Sequence, residues 1–145
     1  MPLRRALVLV LAGALAYALA GCGGSRPSAE SVVRAWSQAL NSDDNEAAAN
    51  LFAKGARIIQ GGNDFRLVTH ADAVAWNAAL PCSGKILAIT TRGNLTTATF
   101  ILGDRKSSKC DGPGARTTAV FKVRNGKITL WHQTATQPGG PVTSV

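Results

Sequence analysis

The stretch TTAVFKVRNGKITLWHQT, Thr117 to Thr134, consists of two alternating apolar–polar runs joined by Asn125-Gly126. Asn-Gly between such runs is a strong hairpin signal, because both residues accept the positive φ of a type I′ turn. Alternation with period two then predicts the pairs Val123–Ile128, Phe121–Leu130 and Ala119–His132 on one face of a sheet. It places Val120 and Trp131 on the other face, with Lys122, Arg124 and Thr129. Upstream, Lys85–Thr91 and Leu95–Leu102 are rich in Ile, Leu and Thr and flank Gly93-Asn94, which predicts a second hairpin. The loop Gly103–Ala115 between the hairpins holds Cys110 and the turn formers Asp111-Gly112-Pro113-Gly114.

The half before these strands reads as helical. Ser28 is an N-cap, and Val32, Val33, Trp36 and Leu40 fall on one face at helical spacing, so a helix is expected over Ala29–Leu40. Ser42 is expected to cap a second helix through Ala53, with Asp43, Asp44 and Glu46 favoured by the dipole of its first turn. Ala56–Gln60 and Phe65–Val68 read as short strands around the turn Gly61-Gly62-Asn63-Asp64. Thr69 and Asp72 form a capping-box pattern for a third helix, Thr69–Leu80, with Ala73, Trp76, Asn77 and Leu80 as its stripe and Pro81 as its stop.

At the N-terminus, Arg4 and Arg5 precede an uncharged run from Ala6 to Ala20. That run is short against the roughly 20 residues a spanning helix needs, and it fits the apolar segment of an export signal. Leu19-Ala20-Gly21-Cys22 resembles the bacterial lipobox, an aliphatic residue and two small residues before a cysteine. The resemblance implies cleavage of residues 1–21 and lipidation of Cys22. The chain would then be exported and held on the extracytoplasmic face of the cell membrane. Residues 22–28 would be the lipidated tether, 29–136 the domain and 137–145 a flexible tail.

With Cys22 given to lipid, Cys82 and Cys110 remain as an even pair, expected to form a disulfide in an oxidising compartment. No Cys-x-x-Cys spacing supports a redox role.

The whole chain carries 16 basic and 8 acidic side chains. Without Arg4 and Arg5 that becomes 14 against 8, a net of +6, and the cations are dispersed with no interleaved aromatics. Nucleic acid is therefore not expected as a partner, whereas anionic headgroups or acidic envelope polymers suit the charge. A basic surface that is merely solvated accounts for it equally well.

Three helices, two short strands between the second and third, then four long antiparallel strands resemble the nuclear transport factor 2-like (SnoaL-like) cone fold. The carriers are the Val32-Val33-Arg34-Ala35-Trp36 helix, the Asn41–Asn45 segment and the Arg124–His132 hairpin. Exported actinobacterial members look closest. The resemblance implies an α+β domain, with three helices packed on a curved, mostly antiparallel sheet and a pocket at the cone's open end.

Such folds host isomerases, cyclases, dehydratases and hydrolases as well as non-catalytic binders, so function has to come from the site. Members that use tyrosine hydroxyls have no counterpart here, because Tyr17 is the only tyrosine and lies in the signal segment. The expected ligand pocket is Trp36, Trp76, Asn77, Phe121, Leu130 and His132, in a domain that binds a small apolar or amphipathic ligand, or an envelope partner, without catalysis, cofactor or metal. In the plainer reading the same residues are core: a satisfied histidine, an amide near a helix end and space-filling rings. Two other functions stand beside the binding one. One is an isomerase, lyase or hydrolase using His132 with Asp64 or Asp72, and the other is a docking module with a filled cone. The apolar Val120 and Trp131, on a face that such folds often use to dimerise, suggest a homodimer.

Overall fold

The computed structural model describes residues 23–139. Residues 1–22, on which the expected export signal and the lipidation of Cys22 fall, and residues 140–145 lie outside the described residues.

Ser28 caps α1 (Ala29–Asn41), its hydroxyl oxygen accepting the Ser31 N–H at 3.1 Å. The apolar stripe Val32, Val33, Trp36 and Leu40 is buried, as the spacing predicts. Ser42 ends this helix instead of starting the next, and Asp43 follows with a left-handed φ of 59°. α2 is only Asn45–Ala49, capped by Asp44, and β1 already runs from Phe52 to Gln60. The alanine-rich segment therefore stops short of Ala53. Helix propensity loses there to the sheet, because the Ile128 N–H donates to the Leu51 carbonyl at 2.7 Å and Phe52 pairs with Ile128.

β2 (Asn63–Leu67) folds back on β1, and α3 (His70–Ala79) starts at the expected capping box of Thr69 and Asp72. β3 (Cys82–Arg92), β4 (Leu95–Asp104), β5 (Arg116–Arg124) and β6 (Lys127–Gln137) follow. The six strands lie in the order β2-β1-β6-β5-β4-β3, all neighbours antiparallel except β1 and β6. β6 ends at Gln137, the first residue of the expected tail.

The Asn125-Gly126 turn forms as predicted, with φ of 52° and 73°, and pairs Arg124 with Lys127 and Val123 with Ile128. The next rung breaks the alternation. Lys122 faces Leu130, so Thr129 is an extra residue on β6. Such a bulge moves every later side chain to the opposite face. Phe121 consequently pairs with Trp131, Val120 with His132 and Ala119 with Gln133. Trp131, expected outside, is 4% exposed and belongs to the core. Leu130 and His132, expected inside, turn outward. The dimer surface proposed from Val120 and Trp131 therefore loses its tryptophan. A second extra residue, Thr134, leaves Gln133 and Thr136 on the concave side.

The core is an aromatic cluster around Trp36. Its ring lies 5.6–6.5 Å, centroid to centroid, from Phe52, Trp76, Phe100, Phe121 and Trp131. Edge and offset contacts of this kind add about 0.5–1.5 kcal/mol per pair beyond area burial. Among the described residues the buried cluster runs from Val32 to Trp131, so the chain from Gly23 onward contains that cluster whole.

At one end of the cone, three segments converge on Arg105 in the β4–β5 loop. Its side chain is 1% exposed, and its Nε donates to Asp43 Oδ1 at 2.7 Å. Nη1 donates to the Asn77 and Leu80 carbonyls at 2.7 and 2.9 Å, and Nη2 to Asn45 Oδ1 at 2.7 Å. One guanidinium thus ties the α1–α2 junction and the C-terminus of α3 to the β4–β5 loop that carries it. Beside it, Cys82 and Cys110 are joined in the expected disulfide.

Four carboxyls are held below the ordinary value of 3.8: Asp43 chiefly by the Ser107 hydroxyl, Asp64 by Arg57, Asp72 by the Thr69 amide and Asp104 by Lys109. The folded chain therefore binds these protons more weakly than the unfolded chain does. Their stabilisation is complete above the unfolded value near pH 4 and is lost as pH falls through the lowered folded values. Melting temperature measured against pH should be flat from about pH 7 to 5 and fall below about pH 4, with a shallower fall in Asp43→Asn. A melting temperature constant down to about pH 3 would contradict this.

Candidate functional site

The concave side holds a cavity of about 430 Å³ at the end of the cone where Arg105 and the disulfide lie. α1 supplies Trp36, Ser37 and Leu40 as its floor, and the sheet supplies Phe100, Leu102 and Trp131 as its wall. The rim is Leu80, Pro81 and Cys82 on one side and Asp111 to Ala115 on the other, two segments that the disulfide joins. α1 is fixed against the rim through Gly84, whose carbonyl accepts from Ser37 Oγ at 2.8 Å and Asn41 Nδ2 at 3.0 Å. A Cβ at Gly84 would stand 3.2 Å from the Phe100 ring, so glycine is what allows that approach.

A polar chain crosses the cavity. Trp76 Nε1 donates to Gln60 Oε1 at 3.4 Å, Gln60 Nε2 to Gln133 Oε1 at 3.3 Å, and Gln133 Nε2 to Thr136 Oγ1 at 2.6 Å. The Thr136 hydroxyl in turn lies 2.9 Å from that of Thr117. Trp131 Nε1 is, among the described residues, the one buried side-chain nitrogen or oxygen with no partner. An unpaired donor of this kind costs about 1–3 kcal/mol, which an acceptor brought into contact with it would relieve.

The residues expected in the pocket separate into three groups. Trp36 lines the cavity. Trp76, Asn77 and Phe121 are buried behind it, and Asn77 is committed to the core. Its Oδ1 accepts the Trp36 indole N–H at 2.8 Å and its Nδ2 donates to the Ala73 carbonyl at 2.8 Å, so this amide positions Trp36. Leu130 and His132 are on the convex face and take no part. Gln60, Trp131, Gln133 and Thr136 were missed, Trp131 because the bulge at Thr129 reverses the face on which it was placed.

The acid–base pair proposed for His132 does not form. Asp64 is held by Arg57, with Nε to Oδ1 at 2.9 Å, and Asp72 accepts the Thr69 amide at 2.8 Å. Among the cavity-lining residues Asp111 is the only ionisable side chain, and it sits exposed on the rim. Asp111 also lies near the Cys82 and Cys110 sulfurs, but sulfurs joined in a disulfide offer no thiolate to a metal. His70 is exposed and contacts Glu46 at 2.7 Å.

Known structures share this fold. A nuclear transport factor 2-like protein of unknown function from Cytophaga hutchinsonii superposes with a TM-score of 0.63 at 12% identity, over 77% of this chain and 92% of the other. A protein with a ketosteroid isomerase-like fold from Catenulispora acidiphila, solved in complex with trimethylamine, gives 0.59 at 17% identity, over 72% and 84%. An uncharacterised cystatin-fold protein from Novosphingobium aromaticivorans gives 0.56 at 14% identity, over 72% and 95%. The chain therefore has the nuclear transport factor 2-like fold. No protein-family profile matches it, and no curated protein matches its sequence.

Proposed function

We propose that this chain is a membrane-anchored, exported binding protein that holds a small, neutral, amphipathic ligand in its cone without transforming it. The observation that carries this reading is the composition of the cavity lining. Aromatic and aliphatic walls meet two glutamine amides and an unpartnered indole N–H, with no acid or base beyond the rim aspartate. General acid–base chemistry needs a group of tuned pKa within hydrogen-bond reach of the reacting atom. Binding needs only apolar area and a few directed polar groups, which this lining supplies. The lipidated Cys22 proposed from the lipobox would keep the pocket at the membrane.

Native mass spectrometry of the chain from Gly24 onward, purified from an exporting host, tests the pocket. We expect a reproducible added mass that Trp131→Phe and Gln133→Ala lose and His132→Ala keeps. Only apo masses from the parent chain, or an added mass that survives both pocket substitutions, would overturn the reading.

A further inference from the structure

The tether and the pocket mouth sit at opposite poles of the domain, and the pole at the tether is basic. Strand register fixes both ends. Thr96 pairs with Phe121, so the β3–β4 turn at Gly93-Asn94 lies beside the β5–β6 turn at Asn125-Gly126. Phe52 pairs with Ile128, so β1 also begins at this end. The tether arrives there, since a Cβ on Gly126 would meet Pro27 at 3.1 Å and Glu30, one residue into α1, reaches Thr91. The same strands finish, at Cys82, Asp104, Arg116 and Gln60, around the cavity.

Arg26, Arg92, Arg124 and Lys127 are all exposed at the tether pole. Among the described residues Arg26, Arg92 and Arg124 have no carboxylate partner, whereas Arg105 and Lys109 at the mouth are committed to Asp43 and Asp104. Leu95, paired with Arg92 at the same hairpin tip, is 39% exposed and offers an apolar contact among the cations.

From this geometry we infer that the tether pole is a docking surface for an anionic phospholipid membrane, which holds the pocket mouth facing away from the bilayer. The inference relies on the anchorage proposed above only to bring a membrane within reach. The six residues Gly23–Ser28 span at most roughly 20 Å when extended, against a Debye length of about 8 Å at physiological salt. At that range even a weak surface is occupied, because the tether raises its local concentration.

The test uses the unlipidated chain from Gly23, so it fails or succeeds independently of Cys22 and of any ligand. Flotation with vesicles of phosphatidylglycerol and phosphatidylcholine is compared with flotation on phosphatidylcholine alone, at low and high salt. Each cation near an anionic surface contributes about fivefold to partitioning, so Arg26→Gln, Arg92→Gln and Arg124→Gln together should lower it on the order of a hundredfold. Lys85→Gln, Lys106→Gln and Arg116→Gln, exposed cations nearer the mouth, should change it less than about threefold. Melting curves confirm that both triple variants fold. Equal losses in the two triple variants, no preference for phosphatidylglycerol, or binding indifferent to salt would each overturn the inference.

Discussion

Replacing Arg105 by methionine is expected to lower the free energy of unfolding by about 3–5 kcal/mol, the largest effect of any single substitution considered for this chain. The side chain is 1% exposed and donates to four oxygens from two segments, tying both to its own loop. Methionine fills most of the volume but leaves the Asn77 and Leu80 carbonyls and the Asn45 amide oxygen without their donor, each at a cost of about 1–3 kcal/mol where water cannot reach. Arg105→Lys keeps the charge but not the planar fork, so it should recover only part of the loss. Urea unfolding measures all three proteins. A loss under about 1 kcal/mol in the methionine variant would mean that water replaces the guanidinium at those oxygens and that the three segments are held by other contacts.

Removing the disulfide by Cys82→Ala with Cys110→Ala should cost about 3.5 kcal/mol. The bond closes a loop of sequence separation 28, and in the chain-entropy model this is what such a loop withholds from the unfolded chain. It also fixes the pocket rim, since Cys82 lies beside Leu80 and Pro81 while Cys110 leads the segment from Asp111 to Ala115. The variant should therefore lose ligand mass in native spectra while the near-ultraviolet dichroism of the tryptophan cluster persists. Unchanged stability would show that Arg105, the Ser108 hydroxyl on the Pro81 carbonyl and the Asp104 carboxylate on the Cys110 amide already define the loop.

Local chemistry made much of this architecture readable. Ser28, the Thr69–Asp72 box and Asn125-Gly126 each satisfy backbone groups within three residues, and each formed where expected. What could not be read depends on partners far along the chain. Arg105 looks like any loop cation until Asp43 is brought to it from 62 residues away. Asp43, Asp44 and Glu46 read as the acidic first turn of a helix, although Asp44 caps it and Asp43, together with Asn45, serves Arg105 instead. The pocket was legible in its floor, Trp36, and illegible in its wall. Thr129 is a good strand residue, and nothing in its chemistry marks it as the extra one. Period-two reasoning past that point gave Leu130 and His132 the positions that Trp131 and Gln133 hold.

Extra residues also stand at Leu87 in β3 and Thr134 in β6, and the β1–β6 pairing is irregular around Gly55, which has a φ of 76°. A bulge bends its strand and tightens the local twist, so these few positions control how sharply the sheet curls over α1. The depth of the cone is then a matter of residue count as well as residue kind. A lineage of such domains could widen or narrow its cavity by gaining or losing one threonine in β6, and a single-codon deletion there would reshape the binding volume without altering a lining side chain.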